Sequence, residues 1–211
     1  GASGLTETSP PSSHYWSRWD IARDFAFLPD GSGGYVLDGF GGLHPFAVNG
    51  GAMPAAVQGA PYWPGWDIAR RVVIMDDGKS GYILDGFGGV HAFGIGGPAP
   101  SNPTVSASWG GHDLSESIVV IPGTANGYVL DAYGGLHPFA AKGQAMPAAI
   151  VGNTTWPNWN VARGAWLLPG SPTAGYVLDA FGGLHPFGGA PALVNSPYWP
   201  NQYLAKMLLG A

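Results

Sequence analysis

Four aspartate–histidine couples stand six residues apart in this chain: Asp38 with His44, Asp85 with His91, Asp131 with His137, and Asp179 with His185. A carboxylate that accepts a hydrogen bond from an imidazole nitrogen fixes the ring's tautomer, and the same two groups can reach one metal ion. Loop parity decides whether they meet. An even turn sets Asp38 opposite Leu43 and puts His44 on the other face; an odd turn sets Asp38 opposite Gly42, on one face with His44. The plainer role is architectural, with Asp capping the free amides of the turn and His a satisfied strand residue. Two ligands per couple do not complete a metal shell unless four units converge on one axis, so neither metal nor cofactor is expected.

Arginines form a second set. Arg23, Arg70 and Arg163 end an Asp/Asn-Ile/Val-Ala-Arg phrase, and Glu116 takes that place in a fourth copy. An arginine in an apolar strand needs a partner once buried. Asp38, Asp85 and Asp179 of the same units, or the neighbouring Asp20 and Asp67, are the expected acceptors, with His112 the expected substitute beside Glu116. Tryptophans form the third set: Trp16, Trp63, Trp109 and Trp156 open the phrase, while Trp19, Trp66 and Trp159 follow three residues later. Buried aromatics are ordinary packing. These, however, lie among Pro, Ser, Asn and Gly, where flat apolar faces beside hydroxyls and amides suit the C–H faces of a pyranose ring. Trp166, in the middle of a strand, is expected in the core.

All three sets are carried by one repeat. Gly34 to Phe46 reads GYVLDGFGGLHPF and returns as GYILDGFGGVHAF (81–93), GYVLDAYGGLHPF (127–139) and GYVLDAFGGLHPF (175–187). The four aspartates are spaced 47, 46 and 48 residues apart. So regular a period means one supersecondary unit stacked on copies of itself. In the first copy, strands are expected near 21–28, over 35–38 and over 43–46, with a weaker element at Met53–Gln58, matched by Met146–Val151. Three or four short strands per repeat predict an all-β fold, a small β-propeller with one repeat per blade. Glycine and proline interrupt every window long enough for a helix. The expected organisation is a polar leader (1–14) and one domain (15–211), with repeats near 15–61, 62–108, 109–155 and 156–197 and a closing segment, 198–211. Four blades are expected, the closing segment pairing beside the first unit. Because the Trp phrase occurs five times, five blades, completed in part by 1–14 and 198–211, are the alternative.

Composition narrows the function classes. Apolar residues make up 45% of the chain and aromatics 13%, so disorder does not explain a charged fraction of only 10%. A net charge of −5, with eight Lys and Arg in all, offers no clustered basic surface and argues against nucleic acid. No apolar run approaches the ~18 residues of a spanning helix. Cysteine is absent, which removes disulfide and thiol chemistry. Outside the repeat, acids are few, and no local spacing presents the carboxylate pair of a hydrolase. His112-Asp113-Leu114-Ser115 lacks a nucleophile-elbow context.

The GYVLDGFGGLHPF and YWPxWDIAR phrases resemble tandem repeats of secreted proteins from Gram-positive soil bacteria, which are predicted to form propellers. In repeat length alone the chain is also similar to tachylectin-type and haemopexin-type propellers. The resemblance implies sugar or protein binding without catalysis. The expectation is a non-catalytic, multivalent carbohydrate-binding module of a secreted or cell-surface protein. Its ligand would meet the seven tryptophans and the four Asp/His couples. The alternative is a structural or adhesive module that contacts protein partners or its own copies through the terminal strands.

Overall fold

The computed structural model describes residues 14–207, and these form no helix. Fourteen strands make four antiparallel sheets. The first holds β1 (Ala22–Phe27), β2 (Gly33–Asp38) and β3 (Leu43–Ala47). The second joins β4 (Val57–Gln58), β7 (Val90–Ile95), β6 (Ser80–Asp85) and β5 (Ala69–Ile74) in that order. The third joins β8 (Thr104–Val105), β11 (Leu136–Ala140), β10 (Gly127–Asp131) and β9 (Ser115–Val120), and the fourth is β12 (Ala162–Leu167), β13 (Gly175–Asp179) and β14 (Leu184–Phe187).

Each repeat thus builds one three-stranded meander, as its period requires. The weaker element, however, does not finish its own unit. Val57 and Gln58 pair with Ile95 and Gly94 of the next sheet, and Val105 pairs with Phe139 of the sheet after. The linker after one hairpin becomes the outer strand of the following sheet, which covers an edge that would otherwise be open. In the fourth sheet this reduces to one bond, from the Gly188 amide to the Val151 carbonyl. Residues 1–13 and 208–211, which include most of the expected leader and the end of the closing segment, lie outside the described residues. No strand forms over the described part of the closing segment, so the pairing beside unit one is not made there.

Sheets pack face to face through apolar residues. Leu37, with Ala26 and Leu43, meets Val72, Ile83 and Phe93 of the second sheet. Leu84, Val90 and Val73 meet Ile118, Val129 and Phe139 of the third. Leu130, Val119 and Leu136 meet Ala165, Val177 and Phe187 of the fourth. Covering both faces is why β10 is buried at every residue and shows no alternation. The strands β1, β5, β9 and β12 pack in series. Between them lies a recess of about 260 Å³, lined among others by Asp24, Arg71, Ser117, Trp166 and Met207. Trp166 is therefore a half-buried wall of the recess and not the core residue expected of it.

Candidate functional site

The hairpin turn is odd. Leu37 pairs with Leu43, and the Asp38 amide bonds to the Gly42 carbonyl, which leaves residues 39–41 as the loop. Gly41, at φ +90°, occupies the left-handed position that closes a three-residue turn. Asp38 consequently shares a face with His44. Its Oδ1 accepts the amides of Phe40 and Gly42, and its Oδ2 lies 2.8 Å from His44 Nε2. The same three bonds recur at Asp85, Asp131 and Asp179. Gly42 is required for space: a Cβ there would sit 2.5 Å from Asp38 Oδ2 and 2.9 Å from His44 Nε2. Both oxygens of each carboxylate are thus taken up within its own turn. Among the described residues no group of three or more His, Asp or Glu could hold a metal.

The two tryptophan series part company. Trp63 donates its amide to the Phe40 carbonyl of the preceding unit, lies over Gly41, and meets its own unit's His91 edge-on at 5.1 Å. Trp109 and Trp156 repeat this against Gly88 with His137, and against Gly134 with His185. Trp16 meets His44 at 4.7 Å. Trp63, Trp109 and Trp156 are half-buried wedges of the seam between units, while Trp16, also half-buried, packs on His14 and His44 within the first. Trp19, Trp66 and Trp159 stay exposed, at 54%, 52% and 48%. Each lies beside the aromatic residue at the tip of a turn: Phe40 at 5.8 Å, Phe87 at 5.5 Å and Phe181 at 5.6 Å. Trp159 differs in donating its indole N–H to the Tyr203 hydroxyl at 3.2 Å.

Arg23 and Arg70 make their forked bonds across the seam, with looser contacts inside their own units. Arg23 Nε donates to Asp67 Oδ1 at 2.9 Å, with a second, shorter bond from Nη2 to Oδ2, and Arg70 holds Asp113 in the same forked manner. This corrects the expectation of Asp38, Asp85 or Asp179 as partner, whereas Asp20 and Asp67, the other expected acceptors, lie 3.6 Å from Arg23 and Arg70 within their own units. The Arg23 guanidinium holds the Asp67 carboxyl below the usual carboxylate range. At the third seam the signs reverse: Arg163 Nη1 lies 3.7 Å from Glu116 Oε1 and donates to Asn160 Oδ1 at 2.7 Å. Arg163, not His112, is therefore the answer to Glu116. Burial pushes the Glu116 carboxyl up, and Arg163 offsets this only in part. The sequence carried a signal for the seam. Asp67 and Asp113 rest against Gly39 and Gly86, where a Cβ would collide with them, whereas Ala132 and Ala180 stand where the following unit has Asn160 and Tyr203.

The turn side of the molecule therefore presents Trp–aromatic pairs adjoining fork-bonded Arg–Asp pairs, a chemistry of flat apolar faces with fixed donors and acceptors. The recess offers another setting. There Asp24 accepts the Val72 amide at 2.9 Å and is pushed up by desolvation, with Arg71 opposing. No family model matches the chain, and comparison with curated proteins returns no relative.

Proposed function

We propose that the four sheets are blades of a β-propeller whose axis runs through the recess, and that its turn-bearing rim binds carbohydrate at several near-equivalent places in a secreted or cell-surface setting. One observation carries this reading: three tryptophans at the same repeat position remain half-exposed, each against an aromatic side chain at a turn tip, in a chain with few charges to make it soluble. About half of each ring stays outside the packing, and repetition suits a multivalent binder. A pyranose stacks on such a face while its hydroxyls bond to neighbouring fixed polar groups. The Asp/His couples serve this reading only indirectly, by shaping the turn. Among the described residues no helix is long and apolar enough to cross a membrane.

A glycan array followed by calorimetry tests the proposal. A sugar bound at sub-millimolar affinity and lost in Trp66→Ala supports it, whereas no binding by the wild type at millimolar sugar removes it. A structural module that contacts protein is the second reading. It is favoured by exposed apolar residues on the first sheet, Phe25 and Phe27.

A further inference from the structure

One repeat position carries a different residue in every unit. Asp24, Arg71, Ser117 and Gly164 lie on β1, β5, β9 and β12, each opposite the leucine that precedes the turn aspartate: Leu37, Leu84, Leu130 and Leu178. The next position is apolar throughout, as Phe25, Val72, Ile118 and Ala165. A position needed only for packing could hold one residue type four times, as the leucine position does. Instead a carboxylate, a guanidinium, a hydroxyl and a glycine stand there. The three side chains all line the recess of about 260 Å³ between these strands. Two residues further on, Trp166 likewise breaks a series of small aliphatic residues, Ala26, Val73 and Val119, and it forms one wall of the same recess.

These polar groups differ from those of the seams in being unpaired. Arg23, Arg70 and Arg163 each reach a carboxylate. Arg71 makes one long bond, from Nη2 to the Arg163 carbonyl at 3.5 Å, and has no ion-pair partner among the described residues. That bond carries its guanidinium from β5 toward β12. Asp24 accepts the Val72 amide at 2.9 Å and likewise forms no ion pair among the described residues. Its carboxyl is pushed up by desolvation, which the Val72 amide and Arg71 offset only in part. Ser117 is 6% exposed, and its hydroxyl bonds to no other described residue. Opposite charges that share a recess without touching keep the desolvation cost of both and little of the attraction. Polar groups held at such a cost around a cavity point to a ligand.

We propose that the recess binds one small zwitterion, an α-amino acid with an apolar side chain. Its ammonium group would pair with Asp24 and its carboxylate with Arg71 and the Ser117 hydroxyl, while its side chain would lie against Trp166. An anion alone would satisfy Arg71 and leave Asp24 unpaired, and an amine alone would do the reverse. A molecule that carries both charges answers both groups and brings no net charge into the recess. The site is distinct from the turn-bearing rim. It is single where the rim is repeated, and it stands whether or not the rim binds sugar.

Calorimetric titration of the full chain with the common L-amino acids tests this, followed by the matching amine and carboxylic acid that each lack one charge of the best binder. One amino acid is expected to bind at a single site per chain, about tenfold or more tighter than either analogue, as the loss of one charge-assisted contact requires. Asp24→Asn and Arg71→Gln are each expected to weaken it by about tenfold or more. Trp66→Ala, at the rim, leaves it unchanged. Should Arg71→Gln fail to fold, the analogue series reads the same requirement on the unaltered protein. No amino acid bound at millimolar concentration, an analogue bound as tightly as the zwitterion, or an affinity unchanged in both recess variants overturns the proposal. Amino-acid binding without sugar binding would remove the rim reading and leave this one standing; sugar binding alone would do the opposite.

Discussion

Trp63 and Trp66 stand three residues apart in one phrase, yet they meet opposite fates. The first is wedged between the preceding turn and its own histidine; the second lies half in solvent on a turn-tip phenylalanine. Backbone bonds fix the difference. The Trp63 amide is tied to the Phe40 carbonyl and the Ile68 and Ala69 amides to the Gly39 carbonyl, so the intervening residues must bulge outward over the rim. Repetition of a residue is therefore no guide to its role in this fold. One tryptophan repeats because every seam needs a wedge, and its neighbour repeats half-exposed on a turn-tip aromatic.

Substitutions that separate seam from rim sharpen the contrast. Trp63→Ala is expected to have the largest effect, about 3 kcal/mol of lost stability, since truncating a packed ring leaves a cavity at the seam. Chemical denaturation reads this, and a loss below about 1 kcal/mol would merge the two series. Gly42→Ala follows, at roughly 2 kcal/mol, because the added methyl presses on the Asp38–His44 bond and crowded sites cost about that much. In Trp66→Ala the midpoint is expected to move by no more than about 0.5 kcal/mol, as for other exposed changes, while sugar affinity drops.

Acid titration separates the charged groups in the same way. Asp67, held low by Arg23, contributes stability above its unfolded value near 3.8 and loses it as pH falls through the folded value. Asp24 is raised, so the folded chain binds that proton more tightly, and stability declines as pH rises from about 3.8 through the folded value. Asp24→Asn, whose amide oxygen can still accept the Val72 N–H, is thus expected to raise the thermal midpoint at pH 7 and to leave it unchanged near pH 3. An unchanged midpoint at both pH values would show that burial at the recess carries no such cost.

The sequence made the meander, its strands and its odd-turn alternative readable because a short-range repeat specifies short-range structure. Asp38 and His44 are six residues apart, and turn geometry alone brings them together. Contacts between units were harder to read. The fork-bonded partner of Arg23 lies 44 residues away in the next unit, and inside one repeat only the looser contact with Asp20 is in reach. Reading Gly39, Gly86, Ala132 and Ala180 against Asp67, Asp113, Asn160 and Tyr203 would have exposed the seam, because small residues appear where a carboxylate must be seated. The outer strand at Val57–Gln58 is as hard to place from the sequence, since two residues carry no mark of which sheet they join.

The rim reading stands or falls on a calorimetric titration of the best array sugar into the wild type and into the triple variant Trp19→Ala, Trp66→Ala and Trp159→Ala. Sub-millimolar binding at more than one site in the wild type, abolished in a variant that melts within a few degrees of it, is the predicted result. Equal binding by the two proteins, or none by either at millimolar sugar, would contradict it.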